Sequence, residues 1–172
     1  MNKIPAEEIL ELLFLPISDP KVVEMLDALG IAQPAIDEAY EIDGRISIID
    51  DENSGLQFEF EELDGSNADG MPIVSIIAFS QERKVAFPFG IHKTDDYETV
   101  CEKIGRKPDY CTKRRKESKQ WLLPPQNGRE TSMGVNFQKD FKGGVNNIVI
   151  REFKREVIEN SLFIVPCEEL EE

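Results

Sequence analysis

Six short stretches of the chain carry the apolar patterning expected of β-strands: Ile46–Ile49, Gly55–Phe60, Ile73–Phe79, Gln120–Leu123, Met133–Phe137 and Val145–Phe153. In Leu56/Phe58/Phe60 and Val135/Phe137 apolar residues recur at every second position, which marks one buried and one wet face of a sheet. Two segments show helical spacing instead. Val22, Met25, Leu26 and Leu29 predict a helix over Lys21–Gly30, with Ser18 or Asp19 as cap and Pro20 at its first turn. Tyr97, Val100, Cys101 and Ile104 predict a second over Asp95–Gly105, with Thr94 as cap and Asp95 and Asp96 set against the helix dipole. Gly30 and Gly105 close the two helices, and Pro34 and Pro108 prevent their continuation.

The two halves carry these elements in the same order. Gly30 to Gly105 is an offset of 75, Phe60 to Phe137 one of 77, and Phe79 to Phe153 one of 74. The expected fold class is α+β: two tandem helix-plus-antiparallel-meander repeats forming a continuous or paired antiparallel sheet with helices on one face. Residues 1–82 form an acidic N-terminal repeat, 83–155 a C-terminal repeat, and 156–172 an extension with an acidic tail. A further helix is expected from Pro5 to about Leu13, and an edge strand over Leu162–Val165. Loops are expected at Gly65–Gly70 and Pro124–Gly128, and a hairpin turn at Lys142-Gly143-Gly144-Val145.

Charge separates the halves that patterning unites. The chain has 172 residues and a net charge of −14. Residues 1–80 hold 18 carboxylates against Lys3, Lys21 and Arg45, a balance of −15, and residues 81–172 hold 17 cations against 16 carboxylates. Such a field opposes nucleic acid and anionic membranes and steers basic partners. With Leu56, Phe58 and Phe60 facing the core, Gln57, Glu59 and Glu61 share the exposed face, and Glu62, Asp64 and Asp69 extend the acidic run. These six are the candidate partner-binding residues, with Asp37, Glu38, Glu41 and Asp43 adding charge upstream.

The chemistry that would carry catalysis is missing. His92 is the single histidine and has no motif around it, so no Ser-His-Asp or Cys-His arrangement is expected elsewhere in the chain and no His-rich metal site is possible. No Gly-rich phosphate loop occurs. Asp50-Asp51-Glu52-Asn53 lacks the Gly and Glu positions of a calcium loop and reads as a hairpin connection. An enzyme working through carboxylates alone stays as a third reading. No cofactor, metal or catalytic residue is expected. Cys101, Cys111 and Cys167, odd in number and without close spacing, are expected to be reduced thiols. With no apolar run long enough to cross a bilayer and acidic residues at the start, a cytoplasmic location is expected.

A basic run also stands out: Lys103, Arg106, Lys107, Lys113, Arg114, Arg115, Lys116 and Lys119, with Tyr110 and Trp121 nearby. Aromatic residues among cations can mark a nucleic-acid site. The overall field argues for a loop paired within the molecule or with an acidic protein surface.

The unit of apolar-Pro-apolar lead-in, capped helix, Gly, Pro and meander resembles the tandem repeats of the beta-lactamase-inhibitor-protein-like fold. The carrying residues are Phe89-Gly90-Ile91, Val100, Ile104-Gly105, Pro108, Trp121 and Phe137, echoed by Ile17, Met25, Leu29-Gly30, Pro34 and Phe60. The resemblance implies a concave sheet surface used for protein inhibition. In type the chain is also similar to bacterial toxin immunity proteins, which sequester a toxin, often a basic nuclease. The expected function is therefore binding and neutralising a basic toxin or enzyme by occlusion, with a non-catalytic adaptor or structural module as the alternative.

Overall fold

The computed structural model describes residues 2–31, 45–62, 71–114, 116–139 and 143–170. The chain divides into two compact units, Met1–Ala86 and Phe87–Glu172, each α+β with antiparallel strand pairing.

In the first unit, α1 (Ala6–Leu10) is one short turn-and-a-half that ends well before Leu13. Two of its residues, Ala6 and Ile9, are buried, and the chain leaves through tight turns to Phe14, which adopts a positive φ of 67°. Helix α2 (Pro20–Ala28) forms as the sequence implies: the Asp19 carboxylate accepts from the Lys21 N–H at 2.9 Å, and Val22, Leu26 and Leu29 are buried. Three strands follow, β1 (Arg45–Asp50), β2 (Leu56–Glu61) and β3 (Ile73–Phe79), paired in that order. Ile46, Leu56, Phe58, Phe60, Val74, Ile77 and Phe79 are buried and form much of this unit's core. Pro34, Asp37, Glu38, Glu41, Asp43 and the expected loop over residues 65–70 lie outside the described residues.

The β1–β2 turn is fixed from below. Gly55 has φ 83°, and a Cβ there would stand 2.0 Å from the Gln81 carbonyl oxygen. Backbone therefore packs on backbone, with Ser80 and Gln81 N–H groups donating to the Gly55 carbonyl at 2.8 and 3.2 Å.

In the second unit, α3 (Tyr97–Ile104) begins two residues later than its Thr94 cap would require. Asp96 is the cap, accepting from the Thr99 N–H at 2.9 Å. Asp95 is drawn elsewhere, accepting from the His92 N–H at 2.7 Å and from Lys103 at 2.6 Å. Strands β4 (Tyr110–Thr112), β5 (Ser118–Gln126), β6 (Arg129–Phe137) and β7 (Val145–Glu152) follow, then α4 (Arg155–Glu159) and β8 (Ile164–Pro166). Their order is β7-β6-β5-β4-β8.

The expected loop at Pro124–Gly128 is shorter than the prolines suggest. Strand β5 runs through Pro124 and Pro125, where its register against β6 shifts, and the turn itself is Asn127-Gly128, both with positive φ. At the expected glycine turn, Gly144 has φ 103° and a Cβ would sit 2.0 Å from the Lys93 carbonyl oxygen. Lys142 lies outside the described residues.

Two features of the second unit were not anticipated. Strand β4 is too short to show a pattern of its own; it forms because β5 and β8 flank it. The expectation of three reduced thiols is corrected: Cys111 on β4 and Cys167 directly after β8 form a disulfide, leaving Cys101 free. Antiparallel pairing sets Cys111 opposite Val165, which brings Cys167 within a Cα–Cα distance of 5.0 Å. An odd cysteine count concealed a pair 56 residues apart.

Candidate functional site

The row expected on β2 is present. Leu56, Phe58 and Phe60 are buried, while Gln57, Glu59 and Glu61 alternate with them on the opposite, half-buried face. Register places Ile49, Ser47 and Arg45 of β1 beside Gln57, Glu59 and Glu61. Glu62 is exposed at the strand end; Asp64 and Asp69 lie outside the described residues.

The three side chains are not equally available. Gln57 donates to both carboxylate oxygens of Asp51, at 2.8 and 3.1 Å. The Oε2 of Glu59 is shielded from solvent and accepts no hydrogen bond among the described residues; Arg45 Nη1 is 3.8 Å away. That separation gives a weak Coulomb attraction without a hydrogen bond, along a diagonal of the β1–β2 pairing. Glu61 ends the row half-buried opposite Arg45, and Glu62, just past the strand, is exposed.

The cluster Asp50-Asp51-Glu52-Asn53 is the β1–β2 turn, and its polar groups serve the fold. Asp50 accepts from the Ser54 N–H at 3.1 Å and from Asn53 at 3.0 Å. Asp51 accepts from Ser80 as well as from Gln57. The Asn53 amide and the Lys84 ammonium both donate to the Leu29 carbonyl, at 3.0 and 2.9 Å, closing the C-terminus of α2. Among the described residues no group of three or more potential ligands gathers to hold a metal ion.

Part of the basic run is engaged within the second unit, and Arg115 lies outside the described residues. Lys103 pairs with Asp95 at 2.6 Å and Arg106 with Asp109 at 2.5 Å. The Arg114 guanidinium lies 4.4 Å from the Phe163 ring centroid. Lys119 donates to Cys111 Sγ at 3.3 Å and stands 5.6 Å from the Tyr97 ring centroid. Trp121 is fully buried, its indole N–H donating to the Arg106 carbonyl at 3.1 Å. A buried indole offers no stacking surface, so the aromatic half of a nucleic-acid site is absent at this position.

The outer face of β5, β6 and β7 is a surface the sequence reading passed over. Trp121, Met133, Val135, Ile148 and Ile150 point inward. Between them Ser118, Gln120, Ser132, Gly134, Asn136 and Asn147 point the other way. Ser118 donates to Asn136 at 2.8 Å and Asn136 to Asn147 at 2.6 Å, a ladder across three strands. Two adjacent clefts of about 410 and 290 Å³ share Ser118 and Asn136. The same alternation that marked β2 was visible in Gly134-Val135-Asn136-Phe137, but neutral polar residues drew no attention beside a carboxylate row.

Burial raises the Asp95 carboxyl, but the hydrogen bond from Lys103 and the His92 N–H outweigh it and hold the group below its ordinary value. The hydrogen bonds from Thr99 hold Asp96 below its ordinary value too. Burial pushes the Cys101 thiol up, so it is a poor nucleophile. No described helix is long and apolar enough to cross a membrane. The chain matches no family model, no curated protein and no solved structure.

Proposed function

We propose that this protein binds a basic protein, a toxin or an enzyme, and neutralises it by occlusion, in the manner of an immunity or inhibitor protein. The observation behind this reading is the carboxylate row on the outer face of β2, set in a unit of strong negative charge. Residues 1–86 carry 19 carboxylates against five cations, whereas residues 87–172 carry 15 of each. A rigid strand bearing Glu61 beside Glu62 fixes charge in space at little entropic cost, and the surrounding field accelerates encounter with a cationic surface. Duplication of a helix-plus-meander unit belongs to the same reading: one ancestral scaffold, one copy of which acquired the charge.

The Cys111–Cys167 bond bears on the expected cytoplasmic location, because structural disulfides persist where the surroundings are oxidising. The acidic row and its proposed partner do not depend on the compartment.

Capture on the immobilised chain from native lysate tests the reading. The expected result is one stoichiometric basic protein whose own activity disappears on mixing. Association should slow by about tenfold or more in the Glu61→Lys/Glu62→Lys variant at low salt, with a weaker salt dependence. Capture of a multi-protein assembly would favour an adaptor instead. An unchanged association rate would remove the acidic row from the interface.

A further inference from the structure

The last part of the second unit is held to the rest by little. Its strand β8 pairs with β4 over three residues: Tyr110 with Pro166, Cys111 with Val165 and Thr112 with Ile164. Two flanking backbone bonds, Lys113 N–H to Phe163 at 2.7 Å and Cys167 N–H to Asp109 at 3.1 Å, extend that pairing. Val165 and Cys167 are buried there, but Leu162, Phe163 and Leu170 are exposed. So small an apolar area cannot anchor a strap by itself, and the disulfide is its principal fastening.

The two sulfurs sit in different surroundings. Cys167 lines an open cleft of about 450 Å³, whose walls carry the cations Arg106 and Lys107 and the carboxylates Asp109 and Glu168. The Lys119 ammonium donates to the Cys111 sulfur at 3.3 Å. A small thiolate therefore has a route to Cys167 through a cleft of balanced charge, and charge developing on Cys111 meets a cation already in place. Thiol–disulfide exchange depends on access to the attacked sulfur and on how well the departing thiolate is stabilised. Both conditions favour attack at the same end of the bond.

We propose that Cys111–Cys167 is an exchange-active latch: a small anionic thiolate attacks Cys167 Sγ from the cleft, Cys111 departs as a thiolate beside Lys119, and the strap of residues 162–170 is freed from β4. In the first step the S–S bond breaks as the new bond from the thiol sulfur to Cys167 Sγ forms, its electron pair leaving on Cys111. A second thiolate then attacks the mixed disulfide, giving a symmetrical disulfide of the small thiol and a Cys167 thiolate. Two thiolates are oxidised to one disulfide, and one protein disulfide is reduced to two thiolates. Release uncovers the β4 edge and Tyr110, an unpaired strand that another chain can extend.

The test uses the full chain, purified without reductant and incubated with reduced glutathione. Samples are quenched in acid, alkylated and mapped by peptide mass. The expected early product carries glutathione on Cys167 and the alkyl group on Cys111. Lys119→Gln should slow its appearance by about three- to tenfold, and Lys119→Arg should restore most of the rate. After full reduction, amide exchange should quicken by about tenfold or more in residues 109–113 and 163–167 while β6 stays protected. Glutathione on Cys111, an unchanged rate in Lys119→Gln, a reduced chain whose strap stays protected, or a purified chain without the disulfide would each overturn the proposal.

Discussion

The outer faces of the two units' sheets are built by the same rule and carry opposite kinds of chemistry. On β2, Gln57, Glu59 and Glu61 alternate with Leu56, Phe58 and Phe60; on β6, Ser132, Gly134 and Asn136 alternate with Met133, Val135 and Phe137. The inward sets are interchangeable in character, because a packed core asks only for apolar volume. The outward sets are not. The first unit presents carboxylates with Arg45 as their neighbouring cation, and the second presents amides and hydroxyls that hydrogen-bond to one another across β5, β6 and β7. Charge acts at a distance and is sensitive to salt, whereas a neutral amide ladder acts only on contact. Two faces of similar construction thus differ in the range over which their chemistry acts.

Core truncation should break this comparison most severely. Phe58→Ala in the first unit and Trp121→Ala in the second each remove a fully buried ring and should cost about 3–5 kcal/mol by denaturant unfolding. Followed by hydrogen exchange, each loss should centre on its own unit. Deleting the disulfide comes next: with its cysteines 56 positions apart, Cys111→Ala/Cys167→Ala should cost about 2–4 kcal/mol, and the unit without a crosslink should lose least protection. The capping carboxylates should be milder: Asp19→Ala should cost about 1 kcal/mol in thermal melts, and Asp96→Ala should lower the melting temperature by a similarly small step.

The smallest effect is one of acidity. Asp95 and Asp96 titrate below their ordinary value of 3.8 when folded, so the unfolded chain takes up their protons first as pH falls. Their contribution is present above pH 3.8 and is lost as pH drops through the folded values. Protection of α3 should therefore weaken below about pH 3.8, and Asp95→Asn should flatten that response.

Much of the fold was legible because it rests on local rules. The bounds of β3, the Asp19 cap and the positive φ of Gly30 and Gly105 follow from residue type and spacing within a few positions. The misplaced cap of α3 shows where locality fails. Thr94, Asp95 and Asp96 are all competent caps, and the choice fell to Asp96 once Lys103 and the His92 N–H had engaged Asp95. The candidate row on β2 was likewise legible, but its unequal availability was not. That Arg45 stands diagonally across from Glu59 depends on the β1–β2 register, and that Gln57 is occupied depends on the position of Asp51 in the turn.

By itself the sequence determined the α+β class, the inward and outward faces of the main strands, and the confinement of negative charge to the first unit. Each of these is a property of neighbouring residues or of their sum. Only the tertiary structure decided the pairing of β4 with β8, the disulfide that this pairing permits, and the engagement of part of the basic run by Asp95, Asp109 and Phe163. These depend on residues distant in the chain, and such approaches are set by the packing of whole elements, which no local pattern encodes.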